Sequence, residues 1–129
     1  MSHHILIVDD DPNIRNLIRQ HLEQDRYQVS EAENGIAASH WLNENRADMA
    51  ILDVVMPEMD GIEFAYELKR RYPDMPILAI SAGEHIMSKE LCLGMMECLG
   101  ANEVLSKPFD IHTLMEAVKT LLKKKHKVA

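Results

Sequence analysis

Three stretches of the chain run apolar and then stop at a polar residue. Ile5-Leu6-Ile7-Val8 stops at Asp9-Asp10, Met49-Ala50-Ile51-Leu52 at Asp53, and Ile77-Leu78-Ala79-Ile80 at Ser81. Unbroken apolar runs of this length, rich in aliphatic side chains, are the mark of a parallel strand buried on both faces. Residues 27–31 and 103–106 read as two more strands, the latter leading into Lys107-Pro108. Between strands the apolar period changes to that of a helix. Pro12 suits a first helical turn, and Asp10 or Asp11 stands where an N-cap belongs. Ile14, Leu17, Ile18 and Leu22 then form one face, which leaves Asn13, Arg15, Asn16 and Arg19 outward.

Asn34-Gly35 breaks the chain ahead of a second helix over 36–43, whose Trp41 and Leu42 read as packing residues. Asp60-Gly61 turns into a third with Ile62, Phe64, Ala65 and Leu68, and Pro73 and Pro76 bracket the approach to the fourth strand. Residues 87–99 predict a fourth helix, weakened by Gly94. Asp110 caps a fifth, with Leu114, Met115, Val118, Leu121 and Leu122 in one stripe. Strands and helices alternating five times imply an α/β fold, a doubly wound five-stranded parallel sheet with helices on both faces.

Composition adds limits. The 129 residues suit one domain with its own core, and no linker, repeat or low-complexity segment divides them. The expected layout is a single domain over 1–129, with a tail at 1–4 and a basic tail at 123–129. With 21 acidic against 14 basic residues and a net charge of −7, a nucleic-acid surface is not expected. The basic concentration at 119–127 reads as a solvated helix end that complements the helix dipole. No apolar run approaches the ~20 residues that span a bilayer, and no signal peptide precedes Ile5, so a cytoplasmic protein is expected. Cys92 and Cys98 are not spaced as a CxxC pair and read as reduced thiols. His3 and His4 read as tail residues.

The C-terminal edge of an open α/β sheet is where such folds bind ligands. Here that edge would collect Asp9, Asp10 and Asp53, with Ser81 and Lys107 beside them: three carboxylates, a hydroxyl and an ammonium, a set suited to a hard cation and a phosphoryl group. In order along the chain, Val8-Asp9-Asp10-Asp11-Pro12, Leu52-Asp53-Val54-Val55-Met56-Pro57-Glu58-Met59-Asp60-Gly61, Ile80-Ser81-Ala82 and Leu105-Ser106-Lys107-Pro108-Phe109 resemble the motifs of the receiver domain of two-component response regulators. The resemblance covers essentially the whole chain, in its chemotaxis-type single-domain form.

The resemblance implies a flavodoxin-like sheet of strand order 2-1-3-4-5. It implies that Asp53 is the phosphorylated aspartate, that Asp9 and Asp10 hold Mg2+ together with Asp53 and the Val55 carbonyl, and that Ser81 and Lys107 contact phosphoryl oxygens. It also implies a cis Lys107–Pro108 peptide, X-Pro being where cis is accessible. The donor would be a sensor histidine kinase or a histidine phosphotransfer protein. Output would pass to an unknown downstream protein, or to a second copy of the chain, through the face of the fourth predicted helix, strand 5 and the fifth predicted helix. No nucleic-acid or membrane partner is implied, nor a conventional enzyme beyond self-phosphorylation and slow dephosphorylation.

Three rivals differ in where they put the chemistry. A haloacid-dehalogenase-like phosphatase would use Asp9 as nucleophile, but Asp11-Pro12 begins a helix and no acidic pair follows Lys107 to complete its metal site. An FMN-binding module would need amide donors after strand 1, where Asp9, Asp10 and Asp11 would repel a phosphate. A receiver that takes no phosphate would not need to keep all five site residues. Two features depart from the usual receiver pattern. Val104 stands where an aromatic side chain is often found, and the segment from 81 to 107 is a few residues long, with Gly83 and Gly94 inside it. Met87, Met95 and Met96 read as gap-filling residues, with an adaptable apolar surface as the alternative.

Overall fold

The computed structural model describes residues 3–53, 61–81 and 102–127, the side chains at 61–63, 81, 106 and 124–127 excepted. Five parallel strands form one sheet in the order β2-β1-β3-β4-β5. They are β1 (His4–Val8), β2 (Gln28–Ala32), β3 (Met49–Asp53), β4 (Ile77–Ser81) and β5 (Glu103–Ser106). Four helices are described: α1 (Pro12–Gln24), α2 (Gly35–Glu44), α3 (Gly61–Arg71) and the C-terminal α4 (Ile111–Lys127). The sequence expectations for the segments 54–60 and 82–101, namely Val55, the turn at Asp60, Gly83, Gly94, Cys92, Cys98, the three methionines and the predicted helix 87–99, lie outside the described residues.

The continuous apolar runs are explained by the two cores. Leu6, Val8, Ala50, Leu52, Ile77 and Ala79 face α2 and α3, packing on Ala38, Leu42, Phe64, Ala65 and Leu68. The alternate residues Ile5, Ile7, Met49, Ile51, Leu78 and Ile80 face α1 and α4, packing on Ile18, Leu22, Leu114, Val118, Leu121 and Leu122. Period two with both faces covered leaves no polar position at 5–8 or 49–52 until the sheet ends. Truncating one such residue, as in Ile7→Ala, would cost about 2–5 kcal/mol. The edge strand β2 is only partly covered, which is why its sequence, Gln28-Val29-Ser30-Glu31-Ala32, is mixed.

Several boundaries move from the sequence expectation. Strand 2 begins at Gln28, because the Tyr27 amide donates to the Leu22 carbonyl and closes the end of α1. The second helix spans Gly35–Glu44, with Asn34 as N-cap accepting from the Ala37 amide at 2.8 Å. His4 belongs to β1, and α4 runs to Lys127 through most of the stretch expected as a basic tail. Leu17 is 40 % exposed, so the apolar face of α1 is narrower than its spacing suggests. Arg15 and Arg19 do not simply point outward, since both reach β2. Trp41 packs on the core as expected, with the His4 ring edge-on at 5.1 Å.

Candidate functional site

The register of the sheet decides what meets at its C-terminal edge. Val8 pairs with Leu52 and Asp53 with Ile80, so Asp9, the residue after β1, and Asp53, the last of β3, end side by side on the two central strands. Ser81 ends β4 next to Ser106 of β5, which places its backbone on the same edge. Both aspartates are almost fully buried, at 1 % and 3 % exposure, and they are the buried charged residues among those described. Asp10 is exposed, and Asp9, Asp10 and Asp53 each bring a carboxylate oxygen within 4.8 Å of the others.

Lys107, in the loop after β5, completes the group. Its ammonium donates to Asp53 Oδ2 at 3.1 Å and to Asp9 Oδ2 at 3.4 Å. The Lys107–Pro108 peptide is cis. The approach from β1 is held by local bonds. Asp11, not Asp10, is the N-cap of α1 and accepts from the Asn13 amide at 2.9 Å, with Pro12 in the first turn. The Asp11 amide in turn donates to Asp9 Oδ1 at 2.9 Å, which leaves Asp10 to project from the turn.

Among the described residues, three carboxylates gather against one ammonium, an unbalanced arrangement. Two like charges at this spacing repel by roughly 3–4 kcal/mol at an effective dielectric of 20. Burial pushes the Asp9 carboxyl up to about 6, and the Asp53 charge adds to that, against the Asp11 amide and Lys107, which favour the ionised form. Burial works against the Lys107 charge, yet attraction to Asp53 and Asp9 and the hydrogen bonds to them raise its pKa above the ordinary lysine value. An all-oxygen, net-negative donor set fits a hard divalent cation such as Mg2+, which takes carboxylates and water, and does not suit a metal that prefers nitrogen or sulfur.

Of the residues singled out in the sequence, Asp9, Asp10, Asp53 and Lys107 are brought together. The Ser81 side chain and all of Val55 lie outside the described residues. Val104 is half-buried against the α2–α3 core. The sequence pattern missed Arg15. Its guanidinium donates to the Asp9 carbonyl at 2.6 Å and to Glu31 Oε1 at 2.9 Å. The only hint was the placement of an arginine one turn past the acidic residues.

The chain is similar to known proteins over most of its length. A family model described as the response regulator receiver domain matches residues 5–119. The response regulator MprA of Mycobacterium sp. (strain KMS) is 34 % identical over 120 residues, which cover 93 % of this chain and 50 % of that protein. The chain thus spans about half the length of the curated relatives it matches. A receiver domain protein (CheY-like) from Methanospirillum hungatei JF-1 superposes over 100 % of both chains with a TM-score of 0.90 at 26 % identity. The response regulator protein TrrA from Thermotoga maritima, solved in complex with Mg(2+)-BeF, is 35 % identical with a TM-score of 0.78 over 94 % of this chain and 99 % of that one. These matches, all of them to response regulators, do not support the phosphatase alternative with Asp9 as nucleophile. Among the described residues, no helix is long and apolar enough to cross a membrane.

Proposed function

The chain belongs to the response regulator receiver domains, and from that premise we propose that Asp53 is the phosphoacceptor of a two-component phosphorelay. The observation that carries the reading is the contact of Lys107 with Asp53 at 3.1 Å and with Asp9 at 3.4 Å, on the sheet edge where β1 and β3 end. A phosphoryl group arriving there meets a carboxylate nucleophile and a fixed cation within reach of one another.

Asp9, Asp10 and Asp53, with the Val55 carbonyl, would hold Mg2+. The ion, when bound, neutralises the carboxylates and polarises the phosphoryl oxygens. The chain's own residues do the rest. A carboxylate oxygen of Asp53 forms a P–O bond while the P–N bond of a phosphohistidine breaks, and the leaving imidazole takes up a proton from solvent. Lys107 balances charge on the transferring group, and Ser81 donates a hydrogen bond to one of its oxygens. The product is an acyl phosphate that water hydrolyses slowly, so the chain would catalyse its own phosphorylation and dephosphorylation. The donor is a sensor histidine kinase or a histidine phosphotransfer protein. The signal leaves through the face of the predicted helix 87–99, β5 and α4, toward a downstream protein or a second copy.

Incubation with a small acyl phosphate donor and Mg2+ tests the assignment. One phosphoryl group should be added, Asp53→Asn should abolish labelling, and Asp10→Ala should weaken Mg2+ binding and suppress it. Undiminished labelling of Asp53→Asn would reject the proposal.

A further inference from the structure

We propose that Arg15, braced by Glu31, is a positioning residue that sets the aim of the acidic pair Asp9 and Asp10. The inference rests on the Mg2+ site proposed above and extends it to a residue outside the ligand set. Both main-chain groups of Asp9 are held, the amide by the end of β2 and the carbonyl by Arg15 of α1. The Asp9 amide donates to the Ala32 carbonyl at 3.1 Å, and its carbonyl accepts from the Arg15 guanidinium at 2.6 Å. The same guanidinium donates through Nε to Glu31 Oε1 at 2.9 Å, and Glu31 Oε2 accepts from Arg19 at 2.6 Å.

The Asp9 carbonyl lies in the plane of the Asp9–Asp10 peptide. Because that unit is planar, fixing its oxygen and the Asp9 amide restricts the Cα atoms from which both carboxylates depart. A guanidinium suits this task, since its rigid fork can hold two acceptors in one plane, whereas an ammonium is a point donor on a flexible stem. Glu31 keeps the fork from turning away, and Arg19 holds Glu31.

The sign of the effect separates positioning from plain electrostatics. A guanidinium near a cation site repels the cation, so deleting it as a charge alone would tighten Mg2+ binding. Deleting it as a clamp loosens the ligands, and loss of such supporting groups commonly costs 10–100-fold in metal affinity.

The experiment is calorimetric titration of MgCl2 into the metal-free full chain, for wild type, Arg15→Ala, Arg15→Lys and Glu31→Gln, with amide hydrogen exchange at residues 10 and 11 measured without metal. Arg15→Ala should weaken binding about 10-fold or more. Arg15→Lys should recover only part of this although it keeps the charge, and Glu31→Gln should weaken binding to a smaller extent. Exchange at 10 and 11 should speed up in the same order. If Arg15→Ala does not fold, Arg15→Lys, which keeps the charge, carries the test together with the exchange rates. Affinity equal to or tighter than wild type, with exchange unchanged, overturns the clamp. If the wild type itself binds no Mg2+, the metal reading fails separately, and faster or unchanged exchange at 10 and 11 then supports or overturns the clamp alone.

Discussion

Two ionic clusters lie on either side of the Asp9 peptide, and they are built on opposite principles. On one side Lys107 faces the carboxylates of Asp9 and Asp53, both almost wholly removed from solvent, with Asp10 close by. On the other side Arg15 and Arg19 share Glu31, and Arg19 also pairs with Glu23, two cations to two anions with side chains from 17 % to 49 % exposed. The second cluster is balanced and hydrated, the kind of network that contributes modestly to stability. The first, among the described residues, carries excess negative charge in a poorly solvated place, which folding alone would not favour. An arrangement that costs stability without a ligand and relieves that cost with one is what a binding site for a cation and a phosphoryl group requires. The two clusters meet at the Asp9 carbonyl, which accepts from Arg15, so each can be perturbed at its own residues and the response of the other read.

The largest effect should come from removing the buried cation. Lys107→Ala leaves Asp9 and Asp53 without their ammonium and takes a positive charge from the transferring group. Loss of one donor of this type slows transfer by about 100-fold or more. The metal-free protein should also lose up to about 3 kcal/mol at pH 8, since breaking a buried pair strands a charge. Urea unfolding with and without Mg2+ checks this, and most of the loss should be recovered with the ion. A phosphorylation rate within a factor of two of wild type would show that Lys107 is only a structural counter-ion.

Much of this is legible in the sequence. β1, β3 and β4 announce themselves because strands covered on both faces have no polar positions, and the first residue past each run is then conspicuous. Asp9, Asp53 and Ser81 follow from that logic, whereas Lys107 comes after the mixed strand β5 and is legible only through its Lys107-Pro108 motif. The contacts among Asp9, Asp53 and Lys107 do not follow, since Lys107 meets Asp9 across 98 positions of chain and the pairing depends on sheet order. Helix α1 is less legible. A 3.6-residue period places Leu17 on the inner face, although it is 40 % exposed, and sends Arg15 and Arg19 outward. Periodicity describes where a Cβ points, and long guanidinium side chains reach round the helix to β2 regardless. Strand 2 shifted by one residue because the end of α1 claims the Tyr27 amide.

The next effect is a pH dependence that runs against the usual one for carboxylates. Asp9 is raised from an ordinary 3.8 to about 6. Between these values the folded state holds a proton that the unfolded state has released, so stability falls as pH rises through the window. The contribution is fully present below about pH 3.8 and gone above about 6. At about 1.4 kcal/mol per pKa unit, it amounts to roughly 3 kcal/mol in the metal-free protein. Asp9→Asn should flatten this slope, and Mg2+ should oppose it by favouring the ionised carboxylate. A wild type whose metal-free stability rises between pH 4 and 6 as steeply as that of Asp9→Asn would contradict the assignment.

The smallest effect belongs to the balanced cluster and has the opposite sign. Burial works against the Glu31 charge, but hydrogen bonds from Arg19 and Arg15 prevail and hold its pKa below the ordinary glutamate value of 4.5. Its contribution is therefore present above pH 4.5 and lost as pH falls through the lowered value, as the folded state finally takes up the proton. Because the Glu31 side chain is 25 % exposed and its partners are long and hydrated, the loss in Glu31→Gln at pH 7 should be about 1 kcal/mol or less. The gap between wild type and Glu31→Gln, read from urea midpoints at pH 7 and pH 3.5, should narrow in acid, whereas the gap between wild type and Asp9→Asn should move the other way. A Glu31→Gln gap that stays constant across this range would mean that the Arg15–Glu31–Arg19 contacts act through shape rather than charge. The brace behind Asp9 would then be steric, and the contrast between the two clusters would no longer be one of charge balance.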